Sequence, residues 1–480
     1  MTVIPTMLLT GTARSLGAAI AAGEITSLQA TQWYLDRIAQ FNGGDSGLNC
    51  VRSIAPLALG QAARADADMA AGNRRGPLHG VPYLLKDNVF TADGMPTSAG
   101  CKALEQFVAP YEATVVRRLR EAGAVLLGKT NLTEFADFVA DTMPSEFSGV
   151  GGVVRSPLGF AYGRGLGSSV GAAAAVAAGF CAFAIGTETQ NSIQAPALHT
   201  SVVGFKPSVG RVSRHGIIPL VPSQDTPGPI TLTVDDAALV YAAIAGPDPQ
   251  DAATLTVFAQ RPAFPESLQR LRIGIPRKWI ADNVLTVPRQ RAFDQALAAL
   301  ASAGATIVDP CDLPGAEQLH EVRSSVFRSE FKDSLNQLLS ALQPCGIGSM
   351  ADLIEWNRAH PQAIPYGQSL LEAADASGGM SADGYAADRR RDIVLSLNAG
   401  IIGALQAGDV DILLSPMAAA AKCTGKAGAP VVALPVGADA EGQPFGVTLY
   451  AAPGSDAALL RAAAAIEAVI AQRLIPAALA

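Results

Sequence analysis

Several features are scarce in this chain of 480 residues. Charged residues make up only 16%, which argues against a disordered chain or a long charged tail. The 35 basic and 42 acidic residues leave a net charge of −7. So mild an acidic excess gives no electrostatic footprint for nucleic acid. The cysteines, Cys50, Cys101, Cys181, Cys311, Cys345 and Cys423, contain no C-x-x-C pair, which removes zinc-ribbon and thioredoxin-type readings. Scattered as they are, they read as reduced residues, so a cytoplasmic location is expected. The five histidines are dispersed without an H-E-x-x-H spacing, and no metal site is expected. The opening residues lack a basic segment ahead of the apolar ones, since Arg14 follows them; a secretory signal is not expected. The uncharged stretch from Leu166 to Thr187 is rich in Ala and Gly and carries Ser168 and Ser169 near its start. It suits a buried helix followed by a buried strand better than a membrane span.

Core-forming residues, by contrast, are plentiful. Hydrophobic residues are 49% of the chain and the mean hydropathy is +0.26, ample for a large core. Helical spacing predicts helices over Ser27 to Gln40 with a serine cap, Ala113 to Ala122, Gly171 to Gly179, Val234 to Ala245, Arg289 to Ala303, 316–341, 385–406 and Asp456 to Gln472. Strands are predicted at Ala124 to Leu127, Phe180 to Gly186, Leu271 to Ile275, Ala305 to Val308, Asp411 to Leu414, Val431 to Leu434 and Phe445 to Tyr450. Such alternation predicts an α/β fold, a large central mixed β-sheet covered by helices on both faces. No internal repeat or clean linker interrupts it. Residues 255–270, with the Pro-rich Arg261-Pro-Ala-Phe-Pro265, read as a connection inside one domain.

One pattern match is a decoy. Gly123-Ala-Val-Leu-Leu-Gly128-Lys129-Thr130 satisfies G-x-x-x-x-G-K-[ST], but a phosphate loop needs an open turn where this chain places strand-like Ala-Val-Leu-Leu. Three other segments point to chemistry. Gly80-Val-Pro-Tyr-Leu-Leu-Lys86-Asp87-Asn88 puts a lysine at the end of an apolar run, and a buried lysine with a lowered pKa is a usable base. Gly165-Leu-Gly-Ser168-Ser169 is a glycine and serine loop. Gly186-Thr-Glu-Thr-Gln-Asn-Ser192-Ile-Gln-Ala-Pro196 places a serine in a tight turn between a buried strand and a helix, suited to an exposed nucleophile.

Together these segments, with Gly204-Phe-Lys-Pro-Ser208, resemble the amidase signature family. The similarity runs from about residue 12 to the C-terminus, and the 24-residue spacing of Ser168 and Ser192 fits. The resemblance implies a single domain over 1–480, with a signature core at about 75–250 and residues 251–480 completing the sheet and the substrate pocket. It also implies roles: Ser192 as nucleophile, Ser168 as bridging serine after a cis Gly167–Ser168 peptide, Lys86 as base. Backbone N–H groups of Thr189, Gln190, Asn191 and Ser192 would hold the oxyanion. No metal or organic cofactor is implied. The expected substrate is a small amide, with carbamates (urethanes), anilides and esters as further candidates. Neither nucleic acid nor membrane is an expected partner, and the expected assembly is a monomer or homodimer.

Departures from the family pattern are specific. Its Gly-Gly before the nucleophile is Gln190-Asn191 here, and Asn191 is expected to occupy the left-handed region as the best non-glycine substitute. The arginine after Ser-Ile is Gln194, and the aspartate four residues before the nucleophile is Glu188. Arg211 to Pro219 and Ser223 to Pro229 look most like bacterial peptide amidases. Gln224-Asp225-Thr226 replaces the Leu-Asp-Gln type of segment usual in the tRNA-dependent amidotransferase chain of this family, the alternative reading. A non-catalytic binding relative is the other alternative. Candidate pocket walls are Met143 to Gly165, Ser324 to Met350 and Met417 to Cys423.

Overall fold

The computed structural model describes residues 8–256, 258, 264, 267–280 and 284–476; most of the Pro-rich stretch at 261–265 lies outside them. The strands are β1 (Val51–Ile54), β2 (Pro82–Lys86), β3 (Val125–Thr130), β4 (Phe147–Ser148), β5 (Gly152–Val153), β6 (Phe183–Glu188), β7 (Val203–Lys206), β8 (Thr226–Thr231), β9 (Arg272–Gly274), β10 (Thr306–Val308), β11 (Ile412–Pro416), β12 (Val431–Ala438) and β13 (Pro444–Tyr450). Among the described residues, eleven form one mixed sheet in the order β1-β3-β2-β6-β8-β7-β12-β13-β11-β9-β10, and β4 and β5 pair separately. Helices pack against this sheet, as the alternating pattern predicts.

Direction within the sheet positions the site. β2 runs parallel to both β3 and β6, so Lys86, Thr130 and Glu188 end at the same edge. In parallel sheets ligands bind outside such carboxyl ends. β2, β3 and β6 are buried along their whole length, which is why their sequences read as continuous apolar runs. The helix Val170–Ala177 is wholly buried too. Its Gly171 is required: a Cβ there would lie 2.2 Å from the Asn131 carbonyl oxygen and 2.6 Å from that of Cys50.

Three expectations change. The cap of the helix Ser27–Phe41 is Thr26, which forms a capping box with Gln29; the Ser27 hydroxyl instead donates to the Gly80 carbonyl at 2.7 Å. The single helix expected over 316–341 is two, Ala316–Glu321 and Val326–Leu342. The break has a local cause. Ser324 donates to Asp392 at 2.7 Å, and Ser325 donates to Asp388 through N–H and hydroxyl; such side-chain bonds compete with the helix ladder. The helix expected over 385–406 runs Tyr385–Ile393, then a π-helical Val394–Ile402, then Gly403–Ala407. β8 went unpredicted because Pro227 and Pro229 argue against a central strand. Alternate residues of an antiparallel strand face the same neighbour, so both prolines withhold their N–H from one side only.

Candidate active site

Lys86 is the last residue of β2 and is fully buried. Its Nζ lies 2.7 Å from Ser168 Oγ, 3.0 Å from Ser169 Oγ and 3.2 Å from the Thr187 carbonyl oxygen. Burial lowers its pKa from 10.5 to about 7, against the opposing pull of Glu188, Asp225 and Asp137. That drop corresponds to roughly 5 kcal/mol against the ammonium form. Deprotonation near neutral pH therefore leaves an amine able to accept a proton.

Ser168 is fully buried at the start of the helix Val170–Ala177, and the peptide before it is cis. Thr133 N–H donates to its carbonyl at 3.0 Å. Ser192 follows β6 in the turn before the helix Gln194–His199 and is 4% exposed. The two serine segments are joined through the backbone, Ser169 N–H to the Ser192 carbonyl at 3.0 Å. Among the described residues Ser192 Oγ has no hydrogen-bond partner, and no histidine reaches it. The backbone N–H groups of Thr189, Gln190, Asn191 and Ser192 likewise donate to no acceptor among the described residues. Four orphan donors in one turn beside a serine hydroxyl are suited to a developing negative charge.

Glycine is not needed in that turn. Neither Gln190 nor Asn191 has positive φ, which corrects the left-handed expectation for Asn191. Side chains hold the turn instead. Glu188 Oε2 accepts the N–H groups of Ile193 at 2.7 Å and Gln194 at 3.0 Å, and Gln194 Nε2 donates to Glu188 Oε1. Thr189 Oγ1 donates to Asp225 Oδ1 at 2.6 Å, while Asp225 Oδ2 accepts from Leu220 and Val221 N–H. The sequence reading missed Ser169, Glu188 and Asp225 as parts of the site. Ser169 was visible beside Ser168. Glu188 was visible only as the residue at the family's aspartate position, four before Ser192, while Asp225 carries no spacing signal, because it bonds the Leu220 and Val221 N–H groups and the Thr189 hydroxyl.

Lys129 settles the phosphate-loop resemblance. It lies inside β3, fully buried, and donates to the Pro96 carbonyl at 3.0 Å and to Thr97 Oγ1, 3.9 Å from Asp87 Oδ1. No open loop exists there. Among the described residues no group of three His, Cys, Asp or Glu side chains could hold a metal ion, and no helix is long and apolar enough to cross a membrane.

The amidase family profile matches residues 29–427. The chain belongs to the amidase family. A peptide amidase from Stenotrophomonas maltophilia has the same fold at TM-score 0.89 and 38% identity, covering 97% of this chain and 98% of its own. A Schizosaccharomyces pombe protein named as an amidase is 32% identical over 93% of this chain and 82% of its own. A glutamyl-tRNA(Gln) amidotransferase chain from Thermobifida fusca is 44% identical, but over 63% of this chain and 60% of its own. This amidase is thus an amide-hydrolysing enzyme with the amidase signature fold. Ser334, Leu338 and Leu342, from the expected wall Ser324 to Met350, line a groove of about 360 Å³ with Tyr111, Ile217 and Asp225, whose lining does not include Lys86, Ser168 or Ser192. Met143 and Met417 are buried among core residues instead.

Proposed function

We propose that this amidase hydrolyses small amides through an acyl-enzyme formed on Ser192, with Ser168 as proton relay and Lys86 as base. The observation that carries the reading is the buried Lys86 amine in contact with Ser168, beside a turn with four unpartnered N–H groups. Ser192 Oγ attacks the substrate carbonyl carbon. Its proton passes to Ser168 as the Ser168 proton passes to Lys86. The carbonyl oxygen, now negative, is held by N–H groups of Thr189, Gln190, Asn191 and Ser192. Collapse of the tetrahedral species breaks the C–N bond, with Ser168 protonating the leaving nitrogen and regaining a proton from Lys86. Water, deprotonated along the same relay, then releases the acid. The Ser168–Ser192 link, open in the free enzyme, closes with substrate in place; catalytic hydrogen bonds commonly tighten only in the complex.

Carbamates, anilides and aryl esters are further substrates in this reading, since each passes through the same kind of intermediate. The enzyme works as a monomer or homodimer in the cytoplasm, a location supported by its six free cysteines. Residues 251–480 belong to the same domain, supported by β12, which pairs with β7 inside the sheet.

The 44% identity to the amidotransferase chain supports a second reading, a transamidase component needing partners. The match to the peptide amidase over 97% of the chain favours the hydrolase. One experiment separates them: the purified chain alone is offered a peptide carboxamide, a p-nitroanilide, an aryl ester and an aryl carbamate. Turnover that disappears in Ser192→Ala supports the hydrolase. Turnover that survives in Ser192→Ala rejects the nucleophile, and no turnover without partner chains favours the transamidase.

A further inference from the structure

We propose that the side chains of Gln190 and Asn191 are positioning residues, with Asn191 tethering the nucleophile turn to the loop that carries Ser168. The proposal rests on the Ser192–Ser168–Lys86 reading above.

The family pattern has two glycines at these positions, and this backbone does not require them, since neither residue has positive φ. The side chains are therefore free to make contacts that glycine lacks. Asn191 Nδ2 donates to the Gly165 carbonyl, three residues before Ser168. Among the described residues only one other hydrogen bond joins the 165–169 loop to the 190–192 turn, Ser169 N–H to the Ser192 carbonyl at 3.0 Å. The far side of the loop is already fixed. Leu166 N–H donates to Ser145 Oγ at 3.0 Å, and Ser145 Oγ donates to Asp137 Oδ2 at 3.0 Å. Asn191 thus anchors the turn to a braced loop, and the tether sets how far Ser192 stands from Ser168.

Gln190 braces the other flank. Its Nε2 donates to Oε1 of the fully buried Gln224 at 3.2 Å, and its carbonyl accepts from Gln194 Nε2 at 2.9 Å. The helix Ala421–Lys426 closes over it with a glycine. A Cβ on Gly425 would lie 2.7 Å from Gln190 Cγ and 2.7 Å from the Thr189 carbonyl oxygen. Side chains therefore reach from this turn to two separate loops, where a glycine pair would offer backbone alone. These struts add to the Glu188 and Asp225 contacts in holding the turn that carries the four orphan N–H groups, and a preorganised turn is what an oxyanion site requires.

The test compares Asn191→Leu, which matches the bulk without a donor, with Asn191→Gln, which keeps an amide, and with Gln190→Ala. Each is assayed on an aryl ester and a p-nitroanilide beside wild type and Ser192→Ala, with thermal midpoints recorded. Loss of one oxyanion donor lowers kcat about 10²–10³-fold. Misaiming the donors in Asn191→Leu is expected to lower it about 10–100-fold, with KM within about threefold. Asn191→Gln should recover part of the loss, and Gln190→Ala should lose less than Asn191→Leu. A kcat for Asn191→Leu within about twofold of wild type overturns the proposal. So does a loss shared equally by KM and the thermal midpoint, which a merely structural residue would give. Either result with Ser192→Ala inactive leaves the nucleophile in place; an active Ser192→Ala removes the parent reading as well.

Discussion

Lys86 Nζ and Ser168 Oγ stand 2.7 Å apart, and the groups around them decide which of the two donates when the amine is neutral. Three oxygens surround the amine: Ser168 Oγ, Ser169 Oγ and the Thr187 carbonyl. An ammonium donates to all three. A neutral amine keeps two protons and gains a lone pair, so one neighbour must become a donor. The Thr187 carbonyl has no proton to give. Ser169 has committed its own to that carbonyl at 3.1 Å. Ser168 is left to turn its hydroxyl toward the amine, which is the direction the proposed relay needs.

The pH dependence follows from this. Lys86 takes up a proton only when it starts neutral, and burial brings its pKa down to about 7. Activity should rise about tenfold per pH unit below that value and level off above it. A pH–rate profile of kcat/KM on a neutral anilide checks the slope. A maximum in acid would rule out a lysine base.

Substitution in the triad should give unequal losses. If Ser192 attacks as proposed, Ser192→Ala should lower kcat by about 10⁴-fold or more, with loss of fluorophosphonate labelling. Ser168→Ala and Lys86→Ala, which in the proposed relay remove proton transfer alone, should cost about 10²–10⁴-fold. Equal, small effects in all three would mean that the nucleophile lies elsewhere.

Lys86→Met should trade activity for stability. Unfolded, the lysine titrates near 10.5; folded, it titrates near 7. The unfolded chain therefore binds more protons between those values, and stability rises with pH across that window. Below pH 7 both states are protonated and the burial penalty is complete. Methionine has similar volume and no charge to bury. Lys86→Met should therefore be the more stable protein at pH 6 by a few kcal/mol, the gap narrowing toward pH 10. Denaturant melts at three pH values would show this, and a variant less stable than wild type at pH 6 would contradict it.

What the sequence revealed and hid follows one division. Lys86, Ser168 and Ser192 were legible because each is a reactive residue type in a short segment at a strand or helix end. Gln190-Asn191 was legible as a departure, but its backbone was not: the left-handed angle expected of Asn191 depends on how Glu188 and Asn191 bond across the turn. Strand β8 was hidden by Pro227 and Pro229, whose missing donors matter less where both face one neighbour. The break between Glu321 and Val326 was hidden because its cause, Asp388 and Asp392, lies more than sixty residues away. Periodicity reports a segment's own preference; the helix break is decided by residues distant in sequence, and the Asn191 turn and β8 by side-chain bonding and strand pairing that periodicity does not carry.

Lys129 should prove structural. Its ammonium is buried with Asp87 and Arg52, the latter 3.4 Å from Asp87 Oδ2. Removing Lys129 takes away one of the two cations beside Asp87 and the donor to the buried Pro96 carbonyl and Thr97 Oγ1, and each buried polar group left unsatisfied costs about 1–3 kcal/mol. Lys129→Ala should therefore lower the denaturation midpoint, and neither wild type nor variant should bind ATP in calorimetry. Measurable ATP binding lost in Lys129→Ala would restore the phosphate-loop reading of Gly123 to Thr130.

Glu188 gives the sharpest link between fold and chemistry. Its carboxylate is fully buried and accepts the N–H groups of Ile193 and Gln194 together with the Gln194 amide. Burial raises its pKa, while Lys206 and these hydrogen bonds pull it down. Glu188→Ala strands two backbone donors in the core, each worth about 1–3 kcal/mol, and frees the first turn of the helix behind Ser192. The variant should lose about 2–6 kcal/mol of stability, and kcat should fall while substrate affinity holds. Glu188→Gln keeps an acceptor oxygen for the two N–H groups but sets its own amide against Gln194 Nε2, so it should fall between wild type and Glu188→Ala. If Glu188→Ala keeps its kcat while losing stability, the carboxylate supports the helix alone and the aim of the oxyanion turn is set by Gln190 and Asn191.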